Sequence, residues 1–448
     1  MTRLFGTDGI RGVADRFPLD QETVAKVGSS LSLHYKQKFG RDARFIIGRD
    51  TRESGERLEN AFAAGAAANG AVIESAGVIT TPGVAFLTAK FGFDAGIVVS
   101  ASHNPYQDNG IKVFLPSGEK MNESMERLIE DDIVAGSISV DHTSETLPDV
   151  SRRPEFHEAY RRYLEGGFAD LKMGGKRIAL DCANGAASAF APDVFRHFGA
   201  EVIAVNDRPN GKNINHECGS LHLDVLRDLT MAEAADFGVA FDGDADRALL
   251  VDNEGNIVDG DAVLWILACL FKKHGGLENN TVVATVMSNI GLELALAGRG
   301  IKLLRASVGD KYVLEELLSS GSEIGGEQSG HIILPKKSLV GDGMMTALLV
   351  AEAVAESGKK LSELTAGFVR YPQILVNVKV REKTPFDSVS DIASASKKIE
   401  SELHGKGRLL LRYSGTENLA RVMIEGEDQH AIETQARELA DVITAKLG

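Results

Sequence analysis

The sequence predicts an α/β protein: three related α/β domains with mixed sheets, followed by a smaller α+β domain. Three observations carry this reading. Short β-branched runs alternate with alanine- and leucine-rich stretches, a strand–helix–strand pattern recurs three times, and the pattern changes after Arg370.

The first copy runs from RFIIG at Arg44 through ERLENAFAAGAAANG to AVIESAG. The second runs from RIALDC at Arg177 through AFAPDVFRHFGA to EVIAVN, and the third from TVVATVMSN at Thr281 through GLELALAGRG to IKLLRASVG. Beyond Arg370 come ILVNVKV, a helical Val389 to His404, paired strands around RLLLRYSG and LARVMIEG, and a final helix. The expected domains are 1–154, 155–254, 255–370 and 371–448.

A chain of 448 residues, 43% hydrophobic and 25% charged, is long enough to bury several cores. Met1 to Gly12 has no apolar signal region, and the most apolar stretch, Met344 to Ala355, is interrupted by Glu352 and too short to span a bilayer. A cytoplasmic protein with no membrane partner is expected. Cys182, Cys218 and Cys269 are too few and scattered for a disulfide framework or a zinc site. A net charge of -15 argues against nucleic acid as a partner. It still allows an anionic small substrate where cations concentrate in one cleft. Nothing in the sequence fixes the oligomeric state, and a homodimer is compatible with it.

Five motifs carry chemistry. In GIVVSASHNPYQDNGIKVF an apolar strand, Gly96 to Val99, leads into a polar loop and a second strand at Ile111, presenting Ser102 as a surface-loop hydroxyl. A lone serine is more often a turn cap, and the absence of a Gly-x-Ser-x-Gly elbow disfavours acyl transfer. Beside Ser102 stand His103, Asn104 and, ten residues on, Lys112, groups suited to a phosphoryl oxygen or a hydroxyl proton.

FDGDADR sets Asp242, Asp244 and Asp246 at alternate positions, which in an extended segment share one face. Three such carboxylates repel unless a cation binds, and an oxygen-only set suits a hard ion such as Mg²⁺. An EF-hand starting at Asp242 fails, because its sixth position is Arg247 and its twelfth Asn253. GGEQSGH places Glu327, Ser329 and His331 beside glycines, a polar loop suited to sugar hydroxyls. RYSGTEN offers Arg412, Ser414 and Thr416 around Gly415, with Arg421 a short strand away, a set of forks, hydroxyls and backbone N–H groups that fits phosphate. FGTDGIRG puts Arg11 in a glycine-rich turn.

Together and in this order, these motifs resemble the α-D-phosphohexomutase superfamily, from Leu4 to the C-terminal helix. FGTDGIRG, SASHNPxxDNGIK, GKNINHECGS at Gly211 to Ser220, VMSNIGLE and PQILVNV are similar to the phosphoglucosamine mutases within it. The resemblance implies three related α/β domains and a fourth that binds phosphate, around a central cleft. It implies one Mg²⁺ per site, a phosphorylated Ser102 required for activity, and the interconversion of glucosamine 6-phosphate and glucosamine 1-phosphate through a 1,6-bisphosphate. The product would serve UDP-N-acetylglucosamine and cell-wall precursor synthesis.

Carried over position by position, Ser102 matches the phosphoserine and also a metal ligand, with Asp242, Asp244 and Asp246 as the other ligands. Arg11, Lys112, Arg247 and His331 match charge-stabilising and proton-transferring groups, with His103 beside the serine. Glu327 and Ser329 match sugar-hydroxyl ligands, and Arg412, Ser414, Gly415, Thr416 and Arg421 the site of the non-reacting phosphate. Ala245, Lys311 and Asn418 depart from the usual glycine, arginine and proline without removing a ligand.

Phosphomannomutase or phosphoglucomutase activity on the same scaffold stays open, since no residue plainly reads a 2-amino group. A haloacid-dehalogenase-like sugar phosphatase also uses Asp-x-Asp and Mg²⁺, but it wants threonine or valine where Asp246 stands. A non-catalytic binding protein is disfavoured by the retention of Ser102, the aspartates and Lys112.

Overall fold

In the computed structural model the chain is described over residues 4–6, 8–138, 151–414 and 417–448. It forms two compact units, Met1–Thr285 with Ala306–Thr365, and Val286–Arg305 with Ala366–Gly448.

In the first unit, a mixed sheet is built on Arg44–Arg49, which pairs in parallel with Val72–Val78 on one side and Ala95–Val99 on the other. Asp108–Phe114 then adds antiparallel to Ala95–Val99, and Gly9–Val13 antiparallel to Asp108–Phe114. The fully buried β-branched runs of the central strands suit a sheet covered on both faces. Helices Gln21–Phe39 and Gly55–Ala67 pack closely because glycines stand where they cross. A Cβ on Gly65 would lie 1.8 Å from the Ala25 carbonyl oxygen, and one on Gly28 2.2 Å from that of Phe62. Helix Thr81–Phe91 starts on a Thr80 side chain that accepts from the Gly83 N–H, with Pro82 in its first turn, and ends at Gly92 in the left-handed region.

A second sheet sets Arg177–Asp181 in parallel between Glu201–Val205 and Phe237–Phe241, with Ala248–Asp252 antiparallel at the far side of Phe237–Phe241. In a third, Thr281–Thr285 pairs in parallel with Gly325–Gly326, which pairs antiparallel with Ile332–Ile333. The mixed sheets agree with the sequence expectation, and in both larger sheets the turn leaving a buried strand carries a chemical motif.

The second unit is a three-stranded antiparallel sheet with Leu419–Glu425 between Gln373–Lys379 and Arg408–Tyr413. Helices Ser390–Glu402 and Gln429–Leu447 cover it through a core that includes Ile392, Ile399, Val422, Ile424, Leu439 and Ile443. Segment 286–305 belongs to this unit. Arg408 donates to the carbonyls of Val286 and Ser288, and the Glu425 carboxylate accepts from the Ile290 N–H. The third strand–helix–strand copy of the sequence is thus divided, its first strand in one unit and its helix Ile290–Ala297 in the other.

Candidate active site

Strand Ala95–Val99 ends three residues before Ser102, and the following strand begins at Asp108, earlier than the expected Ile111. Ser102 is not a surface hydroxyl: it is 1% exposed. Its Oγ donates to Asp242 Oδ2 at 2.5 Å and lies 3.4 Å from His103 Nδ1. Burial, with Arg247 and Arg11 nearby, pushes the His103 imidazole down to about 4, so this ring is neutral at pH 7.

The three aspartates converge by a different geometry from the one expected. Strand Phe237–Phe241 ends before Asp242, and the next residues form a turn with Ala245 at φ +56. Turn curvature, and not strand alternation, brings one carboxylate oxygen of each within 4.8 Å of the others. All three side chains are buried. Asp242 Oδ1 accepts from the Arg247 N–H, and Asp244 Oδ2 from the Thr81 hydroxyl and the Lys112 ammonium. Asp244 Oδ1 and Asp246 Oδ1 are buried with no hydrogen-bond partner. Burial and the charges of Asp246 and Asp244 push the Asp242 carboxyl well above its ordinary range. Three buried carboxylates with unsatisfied oxygens and no nitrogen or sulfur donor fit a hard divalent cation.

Lys112 lies 2.9 Å from Asp244, 3.2 Å from Asp246 and 3.3 Å from Asp8. Burial opposes its charge, but the three carboxylates outweigh burial and hold the ammonium well above the ordinary lysine value. Of the two roles the sequence left open for Lys112, charge stabilisation and proton transfer, its surroundings favour the fixed charge. Arg11 is on strand Gly9–Val13, paired to Asp8, and is not in a turn.

Arg11 and Arg247 share a cavity of about 490 Å³ with Asp8, Asp310, Glu327 and His331. His331 Nδ1 is 3.6 Å from Asp246 and its Nε2 3.6 Å from Asp310, while the Gly341 N–H donates to Nε2 at 3.1 Å. Burial works against protonation of His331, but Asp246, Asp310 and Glu327 prevail and raise its pKa. Glu327 Oε1 accepts from the Gly309 N–H. Ser329 is not among the residues lining the cavity, and its Oγ is buried without a partner.

In the second unit Arg412 and Arg421 stand directly opposite each other across the ladder. Like charges so placed are destabilising on their own, and burial together with Arg421 lowers the Arg412 pKa. Arg421 Nη2 lies 3.5 Å from Ser414 Oγ. Two guanidiniums beside a hydroxyl, with no carboxylate paired to either among the described residues, are suited to an anion. Gly415 and Thr416 lie outside the described residues.

Sequence reasoning missed Asp8, Thr81, Lys120 and Asp310. Lys120 bridges Asp8 and Asp310, and all three side chains are half-buried. Asp8 stands inside FGTDGIRG and Asp310 inside VGDKYV, so their signal was a charged residue in a motif already singled out for a neighbour.

Four families of the phosphoglucomutase/phosphomannomutase group match the chain: alpha/beta/alpha domain I over residues 2–137, domain II over 156–255, domain III over 259–371 and the C-terminal domain over 375–442. The chain is 47% identical to the phosphoglucosamine mutase of Solibacter usitatus over 455 residues, covering 99% of each. It is 48% identical to that of Caldicellulosiruptor saccharolyticus over 453 residues, covering 100% of each. A phosphoglucomutase/phosphomannomutase family protein from Burkholderia thailandensis superposes with a TM-score of 0.80 at 21% identity, covering 100% of this chain and 98% of that one. The N-acetylphosphoglucosamine mutase of Aspergillus fumigatus, solved with GlcNAc-6P and magnesium, gives 0.68 at 20% identity, covering 99% and 95%. At such identities these two structures share the fold.

Proposed function

The chain belongs to the phosphoglucosamine mutase family, and from that premise we propose that it interconverts glucosamine 6-phosphate and glucosamine 1-phosphate through a phosphorylated Ser102. It is an isomerase. The observation that carries the proposal is the buried Ser102 hydroxyl hydrogen-bonded to Asp242 within the carboxylate cluster.

Ser102, Asp242, Asp244 and Asp246 would hold Mg²⁺, which when bound neutralises phosphoryl oxygens and the developing charge on them. The chain's own residues do the rest by positioning and electrostatics. The phosphoryl group leaves Ser102 Oγ for O1 of glucosamine 6-phosphate. The O1–P bond forms as the Oγ–P bond breaks, O1 loses its proton to the neutral form of His331, and the serine oxygen takes a proton from solvent. Lys112, Arg11 and Arg247 supply fixed positive charge, with neutral His103 beside the serine oxygen. Glucosamine 1,6-bisphosphate then turns around and the 6-phosphoryl group returns to Ser102 by the reverse exchange. Glu327, on the cavity wall, binds ring hydroxyls in both orientations, and Arg412, Ser414, Gly415, Thr416 and Arg421 hold whichever phosphate is not being transferred.

The matched segments support four domains, 1–154, 155–254, 255–370 and 371–448, carrying the serine, metal, sugar and phosphate loops in turn. Among the described residues no helix is long and apolar enough to cross a membrane. We place the enzyme in the cytoplasm, supplying cell-wall precursor synthesis.

The test pairs intact-mass measurement, with and without phosphatase, with turnover on glucosamine, glucose and mannose 6-phosphates. One phosphoryl group on Ser102 and preference for the 2-amino sugar are expected. Full turnover by a protein never phosphorylated at Ser102 would refute the mechanism, and preference for a 2-hydroxy sugar would turn the assignment to phosphoglucomutase or phosphomannomutase.

A further inference from the structure

Ser102 is held at φ +51, a left-handed backbone that residues with a side chain rarely adopt. Such a conformation persists only where its surroundings over-determine it, and here they do so from two sides. On one side the Ser102 N–H donates to Ser100 Oγ at 2.9 Å, and Ser100 Oγ donates to Asp50 Oδ2 at 2.7 Å. Asp50 in turn accepts from the Arg52 N–H and pairs with the Arg52 guanidinium, both side chains being fully buried. Arg52 Nη2 then donates to the carbonyl oxygens of Ser102 at 3.1 Å and Asn104 at 2.5 Å.

On the other side stands Asn215, from the GKNINHECGS loop. Its Nδ2 donates to the same two carbonyl oxygens, at 2.8 Å to Ser102 and 2.9 Å to Asn104. Asn215 is itself left-handed at φ +57, anchored by its N–H on the Ala183 carbonyl at 2.9 Å. The aspartate loop leaves room for this approach: a Cβ on Gly243 would lie 2.6 Å from the Ser102 oxygen and 2.9 Å from Asn215 Nδ2. Two side chains from different motifs thus meet on one pair of carbonyls at the serine.

We propose that Asn215 and Arg52 are positioning residues that clamp the Ser102 and Asn104 carbonyls and keep the serine hydroxyl aimed at Asp242. The proposal rests on Ser102 being the phosphoryl carrier. In each turnover the serine alternates between a dianionic phosphoester and a free hydroxyl, and the clamp holds the backbone through both states. It touches no substrate, so its loss slows phosphoryl transfer and leaves substrate binding alone. Misplacing a reacting oxygen by about 1 Å costs on the order of a hundredfold in rate.

Arg52 lies in the core, so the test uses Asn215. The full-length enzyme with magnesium is compared with Asn215→Ala and with Asn215→Asp, which keeps the shape and replaces the amide donor. Asn213→Ala is the control: it lies in the same loop, but its side chain bonds only to the loop itself, at Asn210 and Arg208. Both Asn215 variants should lose about tenfold or more in kcat with KM and magnesium dependence unchanged, while Asn213→Ala keeps the parent kcat. Parent kcat in both Asn215 variants, a rise in KM with kcat intact, or an equal loss in Asn213→Ala would each overturn the clamp. Ser102→Ala separates the two levels. If it turns over like the parent, the phosphoserine reading has failed; if it is inactive while the Asn215 variants are normal, only the clamp has.

Discussion

Replacing Asp242 with asparagine asks whether the aspartate turn is built for a cation. Asp242 is fully buried, and Asp244 and Asp246 each bring an oxygen within 4.8 Å. Two unit charges at that distance repel by about 3 kcal/mol at an effective dielectric of about 20. The Ser102 hydroxyl and the Arg247 N–H bond to different oxygens of Asp242; in asparagine the carbonyl oxygen can keep the Arg247 N–H while the amide N–H donates to the Ser102 hydroxyl, which accepts as well as donates. After the lost attraction to Arg247 and Lys112 is set against two such repulsions, metal-free Asp242→Asn should be more stable than the parent by roughly 1 to 3 kcal/mol. The pH dependence has a defined sign. Burial and its neighbours raise the Asp242 pKa above the ordinary 3.8, so the folded state holds the proton more tightly and the metal-free parent loses stability as pH rises above that value. The variant lacks this loss. Magnesium reverses the ranking: at a hundred times Kd it adds about 2.7 kcal/mol to the parent, and a tenfold weaker site at the same concentration about half of that. Denaturant unfolding in chelator and in excess MgCl₂ measures both increments. A variant less stable than the parent in chelator, or one with the parent's full magnesium increment, would refute the argument.

Three further outcomes follow from the same geometry. Ser102→Ala should abolish phosphoryl incorporation and isomerisation; having lost a buried donor to Asp242, it should also be destabilised by roughly 1 to 3 kcal/mol, as intact mass, turnover and unfolding would report. Arg412→Ala, losing a charge-assisted phosphate contact, should lower kcat/KM by about one to two decades and release more glucosamine 1,6-bisphosphate during turnover, followed by phosphate-resolved chromatography. Asp342, buried at the start of helix Gly343–Ser357, has its pKa pushed up to about 6 by burial. The fold therefore loses roughly 3 kcal/mol between pH 4 and pH 6, and Asp342→Asn, which keeps a capping oxygen for the Met345 N–H, should flatten that slope in unfolding measured across the same range.

What was legible in the sequence was what local pattern encodes. The β-branched run at Arg44–Arg49 and the alanine-rich Gly55–Ala67 are a strand and a helix because period and propensity agree. Ser102 and the three aspartates were found because their neighbours in sequence already make an unusual chemical set. What failed was local geometry past a strand end. Asp242, Asp244 and Asp246 were given the alternation of a strand, yet the strand stops at Phe241 and a left-handed Ala245 curls the chain. Arg11 was placed in a turn because of its glycines, yet its residues pair with Asp108–Phe114. Glycine there answers to close approach: a Cβ on Gly9 would lie 2.3 Å from the Ile111 carbonyl oxygen.

Partners far apart in sequence were the larger omission, and their effect on the assignment of roles was direct. Lys112 stayed open as either a base or a fixed charge because its carboxylates, Asp8, Asp244 and Asp246, come from other strands and turns and leave no trace in its own segment. Lys120 was passed over because its two carboxylates stand 112 and 190 residues away. Charges drawn out of water survive only when paired. Asp8, Lys112, Lys120, Asp310 and His331 therefore constrain one another as a set. Lys120 holds Asp310 facing His331, and Lys112 ties Asp8 to the aspartate turn. The fixed charge assigned to Lys112 follows from that pairing, since an ammonium shared among three carboxylates keeps its proton, whereas His331, facing Asp246 and Asp310, takes a proton from the sugar only in its neutral form.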